Sequence, residues 1–131
     1  MPEKRTIERA KQDRREGKAP TTQAGEFVRE EIEHVREGKH GARSAKQAIA
    51  IGLSKARRAG VKLPPPRKGA TSSATRKRAA RDLQAGRKRR GTSTRRSKAT
   101  TRALKRESRG SVSRSALSRQ AKSAARRRKA A

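Results

Sequence analysis

Large apolar side chains are so scarce in this chain that any core it builds must be small. Leu, Ile, Val and Phe together number 14 among 131 residues, and ten of them precede Pro64. Burial of apolar surface is the main term that offsets the entropy lost on ordering, so a chain of this composition has little to spend on a fold. The ten early residues are nevertheless organised. Between Pro20 and Gly38, the residues Ala24, Phe27, Val28, Ile32 and Val35 recur at the three and four spacings of one helix face. With Thr21 or Thr22 as N-cap, a helix is expected over residues 22–37. A second stripe of Ala45, Ile49, Leu53 and Ala56 follows Ser44, and Gln47 stands three residues after that serine in a capping-box pattern. Gly60 closes this helix, expected over residues 45–59. A charged segment at residues 3–16, ended by Gly17, offers Ile7 and Ala10 for packing.

These patterns predict an all-α protein whose N-terminal part, residues 1–63, is a small helical hairpin or three-helix unit. A core this small contributes only a few kcal/mol, so either marginal stability or a homodimer that buries the stripes of residues 22–37 and 45–59 between two copies is expected.

Charge divides the chain at the same place. Residues 1–63 carry 16 basic and 9 acidic side chains, whereas residues 64–131 carry 24 basic and 2 acidic ones, out of a formal net charge of +29. Pro64-Pro65-Pro66 stands at the boundary and cannot continue a helix. Beyond it the large apolar residues are Leu83, Leu104, Val112 and Leu117, too far apart to form a stripe. Residues 64–131 are therefore expected to be a largely disordered Lys/Arg-rich tail. Transient helices are expected in its proline-free, Ala- and Arg-rich stretches at residues 74–85, 98–108 and 113–129.

Charge of this size implies a polyanionic partner. The clusters Arg76-Lys77-Arg78, Arg87-Lys88-Arg89-Arg90, Arg95-Arg96, Lys105-Arg106 and Arg126-Arg127-Arg128-Lys129 can follow a phosphate backbone, with affinity drawn from counterion release and no sequence preference. Single strands are usually held by stacking on aromatic rings, and Phe27 is the one aromatic residue here, so duplex nucleic acid is expected, DNA ahead of RNA. Gln47, Ile51, Ser54 and Arg58 lie opposite the apolar stripe of their helix. They form a candidate groove-facing set, with Gln47 or Arg58 at base edges and Ile51 against a thymine methyl. Packing of Ile51 on the first helix or on a second subunit is the alternative.

Other classes find little footing. No cysteine is present. His34 and His40, with Glu30 and Glu37 near, lack a further well-spaced ligand, so neither a metal nor another cofactor is expected. Nucleophile elbow, phosphate loop and dinucleotide fingerprint are all missing, and the protein is expected not to be an enzyme. The longest strongly apolar run, Ala48 to Ile51, falls far short of the roughly 20 residues that span a bilayer, so no membrane partner is expected.

The segment Lys46-Gln47-Ala48-Ile49-Ala50-Ile51-Gly52-Leu53-Ser54-Lys55-Ala56-Arg57-Arg58-Ala59-Gly60 resembles the signature of a family of short, very basic bacterial proteins of unknown function. The tail is similar in composition to linker-histone tails and bacterial histone-like extensions. The resemblance implies a bacterial, cytoplasmic protein and carries no functional residues with it. Together these readings lead to a nonspecific DNA-binding protein of nucleoid-associated or histone-like type. An RNA- or ribosome-associated protein and a stress hydrophilin without a defined ligand are the alternatives.

Overall fold

The computed structural model describes residues 2–88 and 93–130. They are all-helical: α1 (Lys4–Arg15), α2 (Pro20–Arg36), α3 (Ala45–Arg58), α4 (Ser73–Arg87), α5 (Thr94–Lys105), a single 3₁₀ turn (Gly110–Val112) and α6 (Arg114–Ala130). The chain divides into two compact units, each made of two separate segments. The first joins Met1–Glu30 to Ile51–Thr92, and the second joins Glu31–Ala50 to Ser93–Ala131.

Local chemistry sets the helix ends. Pro20 opens α2 as its first residue, where a missing N–H costs nothing because no helical acceptor exists for it. The expected cap at Thr21 or Thr22 thus gives way to Ala19, whose carbonyl accepts from Thr22 and Gln23. At α3 the Ser44 hydroxyl accepts from the Gln47 N–H at 3.1 Å, and the Gln47 side chain reaches back to the Arg43 N–H. Helices α1, α2 and α3 end alike. Gly17, Gly38 and Gly60 each donate to the carbonyl three residues back, and the following residue donates to the carbonyl five back, the pairing of a Schellman motif.

The first unit is organised around Phe27, which packs with Ala10, Ala24, Ala56, Val61 and Leu63 and with the half-buried Ile7 and Leu53. In the second unit the core consists of Val35, Ala42, Ala48 and Val112, with Ile32 against it. Of the α2 and α3 stripes, Ala24, Phe27, Leu53 and Ala56 thus pack in the first unit and Ile32 and Val35 in the second.

Residues 64–131 are not a disordered tail, and this corrects the fold expected from the sequence. Three helices occupy most of that stretch, each with a serine at its N-terminus. The Ser72, Ser93 and Ser113 hydroxyls accept from Thr75, Arg96 and Ala116 N–H groups respectively. The Pro64 to Pro66 segment is pinned rather than loose. Arg57 donates to the Leu63 and Pro64 carbonyls, and Arg76 donates to that of Pro66.

Docking in this half needs no apolar stripe. Helix α4 buries Ala79, Asp82 and Gly86, and a Cβ on Gly86 would collide with the Arg57 carbonyl oxygen, so the helix backbone itself lies against the end of α3. The loop before α3 is joined to the end of α5 by main-chain bonds, Gly41 N–H to Leu104 C=O at 2.8 Å and Ala42 N–H to Ser108 C=O at 2.9 Å. Here too a Cβ on Gly41 would meet the Glu107 carbonyl oxygen. Close backbone approach and hydrogen bonding replace the missing Leu and Ile, which is why counting large apolar residues leads to disorder and the structure does not.

Candidate nucleic-acid interface

The cationic residues of α4, α5 and α6 are sorted by helix geometry. At about 100° per residue, Lys77, Arg81 and Lys88 fall on the side of α4 opposite Ala79, Asp82 and Gly86. On α5 the residues Arg95, Lys98, Arg102 and Lys105 stand at spacings of three, four and three. They occupy an arc of roughly 80° facing away from Leu104, the one buried residue of that helix. Helix α6 repeats the pattern with the same residue types, Arg119, Lys122, Arg126 and Lys129, and its half-buried Leu117, Gln120 and Ala124 lie on another face. Each stripe is about 15 Å long, since ten residues rise 1.5 Å apiece. All eight side chains are exposed.

Acidic residues do not dilute these stripes. Only Asp82 and Glu107 occur after residue 63. Asp82 is buried and taken up internally: Oδ2 accepts from the Ser54 hydroxyl and Oδ1 from Arg58 Nε, both at 2.8 Å. The Asp82 carboxylate thus neutralises one guanidinium at the α3–α4 junction and presents little negative charge to solvent. Helix α1, by contrast, interleaves Glu8 and Asp13 with its basic residues.

Most of the residues singled out from charge clusters are exposed where the structure describes them. Lys77, Arg78, Arg87, Lys88, Arg95, Arg96, Lys105, Arg106, Arg126, Arg127, Arg128 and Lys129 are open to solvent, and Arg76 is half-buried through its bond to Pro66. Arg89 and Arg90 lie outside the described residues. Lys98, Arg102, Arg119 and Lys122 stand outside the charge clusters, because none of these belongs to a run of adjacent charges. The signal that finds them is the Arg-x-x-Lys-x-x-x-Arg-x-x-Lys spacing, present once in α5 and once in α6.

The four groove-facing candidates on α3 are not held alike. Gln47 is half-buried in the helix cap, Ile51 is half-buried, and Ser54 and Arg58 are both bonded to Asp82. Next to Arg58 in this junction, burial pulls the Arg57 guanidinium below its usual pKa, while the Asp82 charge acts in the opposite direction.

In the second unit a shallow, solvent-open depression lies at the start of α3, lined by Arg43, Ser44, Ala45, Gly110, Arg119 and Gln120 among others. Its two guanidinium groups and the N-terminal end of the α3 dipole make it electropositive, a setting that suits a phosphate group.

Among the described residues, no helix is long and apolar enough to cross a membrane. No curated protein and no solved structure resembles the chain closely enough to count as a match. A family model does match, over residues 3–68, which takes in α1, α2, α3 and the proline segment and stops short of α4. That match covers half of the chain, and the protein accordingly belongs to the family of unknown function DUF6496.

Proposed function

We propose that this protein binds the phosphate backbone of nucleic acid, duplex DNA first, through the cationic stripes of α4, α5 and α6. The observation that carries the reading is the repeated, acid-free row of four cations on α5 and again on α6, each turned away from the buried side of its helix. A chain that needed charge only for solubility would require a net charge of order 2 to 8, with no reason to align it. An aligned row places successive cations about 5 Å apart, close enough to displace condensed counterions along one strand. The chain has a single aromatic residue, Phe27, and it is buried in the core, so stacking on bases has no platform. On this reading the protein is a binding protein rather than an enzyme, of nucleoid-associated character, and its preference for any base sequence is weak.

Fluorescence anisotropy of the full chain on a duplex DNA, across a salt series, tests the proposal. Log affinity is expected to fall linearly with log salt, by about 0.9 per phosphate contacted. Replacing Arg95, Lys98, Arg102 and Lys105 by Gln together should flatten that slope by about 2 to 4. Replacing Lys4, Arg9, Lys11 and Arg14 on α1 removes the same charge and should flatten it much less. Equal effects would mean that net charge alone drives binding, and tighter binding to structured RNA than to DNA would turn the reading to an RNA-associated protein.

A further inference from the structure

We infer that the second unit contains a binding site for a zinc-class divalent cation, formed by Glu31 and His34 of α2 and His40 of the loop that follows. One turn of helix separates Glu31 from His34, so both project from the same side of α2. The turn at Gly38 then folds the chain back, with Lys39 N–H bonded to the His34 carbonyl, and brings His40 over the same spot. One ligand atom from each of the three residues lies within 4.8 Å of the other two. The His40 Nε2 to Glu31 Oε2 separation is 3.5 Å, and His34 Nδ1 lies 4.0 Å from Glu31 Oε1. Ligand atoms 2.0–2.2 Å from a tetrahedral ion are themselves about 3.4 Å apart, so one edge of the polyhedron is already set and the rest needs side-chain adjustments of about 1 Å.

The His40 ring is oriented as a ligand ring should be. Its Nδ1 lies 2.8 Å from the Gly41 carbonyl oxygen. A carbonyl can only accept, so Nδ1 carries a hydrogen and donates it, which turns Nε2 toward the carboxylate. A metal-bound histidine whose other nitrogen donates to a backbone carbonyl has this arrangement. The Glu31 side chain is 1% exposed, and those of His34 and His40 are 14% and 11% exposed. A cation held by all three groups leaves a coordination position open to water. The rival is an ion-free cluster in which Glu31 and His34 keep the protein partners they already have.

Net charge makes the test clean. At +29 the protein repels cations from its surface, so stoichiometric uptake of a divalent ion reports a built site. The full chain, free of any affinity tag and stripped with chelator, would be titrated with Zn²⁺ by calorimetry and with Co²⁺ by visible absorption. One Zn²⁺ per chain, the intense Co²⁺ bands of a four- or five-coordinate site, and a thermal midpoint raised by Zn²⁺ are expected. Glu31→Gln should weaken Zn²⁺ by roughly 10- to 100-fold, and the His34→Ala, His40→Ala pair by more, with helical circular dichroism monitored in each. Absence of binding to the unaltered chain, a weak six-coordinate Co²⁺ spectrum, or undiminished binding in the paired histidine variant would overturn the site. If the variants lose their helices, the Co²⁺ spectrum of the unaltered chain decides.

Discussion

The two units are built from one chain of low apolar content, yet they are stabilised by different means. The first closes around Phe27 with five further buried apolar residues and the half-buried Ile7 and Leu53. In the second, the buried cluster holds nothing larger than valine, with the half-buried Ile32 against it and Leu104 buried outside it. Main-chain bonds from Gly41 and Ala42 to the end of α5 stand in for the missing bulk, with Arg36 donating to the Val112 carbonyl and Arg109 to that of Arg36. Hydrophobic burial scales with area, whereas a typical hydrogen bond contributes about 1 kcal/mol net. The second unit is therefore expected to open first, and it carries two of the three cationic stripes and the Glu31 cluster. Ligands that bind it should add stability where the core provides least.

The largest expected effect breaks the first unit. Phe27→Ala removes its largest fully buried side chain and should cost about 3–5 kcal/mol, read from denaturant unfolding by circular dichroism, with amide exchange accelerating in α1 and α4. Equal acceleration in α5 and α6 would show that the two units do not unfold independently. Next in size, Gly41→Val forces a side chain into the Glu107 carbonyl and should cost about 1–3 kcal/mol, with exchange accelerating in α5 and leaving α1 protected. Asp82→Ala strips two hydrogen bonds from the α3–α4 junction and should cost about 1–2 kcal/mol, appearing in α4 amides. The smallest effect on stability is expected of Lys98→Gln, within about 0.5 kcal/mol because the side chain is exposed. The same substitution should nonetheless lower the salt slope of DNA binding by about 0.9, separating the surface that binds from the contacts that fold.

Legibility differs in the same way between the two halves. The ends of α1, α2 and α3 can be read locally, because a glycine two residues past the helix and the Ser44–Gln47 cap act within a few residues of themselves. The cationic stripes of α5 and α6 were also readable, as a period of three and four, once helix rather than disorder is assumed. Counting Leu83, Leu104, Val112 and Leu117 hid that assumption, since the contacts that fix α4 involve Gly86 and Asp82, which no apolar count includes.

What the amino-acid order determines by itself is local: helical punctuation, the excess of cations after residue 63, and the spacing that lines them along one face. Tertiary structure decides the rest. Asp82 becomes an internal counterion only because Ser54 and Arg58, 28 and 24 residues away, are brought to it. Of the adjacent Glu30 and Glu31, the second meets His40 and the first accepts from the Glu3 N–H. Neighbouring helix positions point about 100° apart, so the path of the chain around each, and not the residue type, selects the partner.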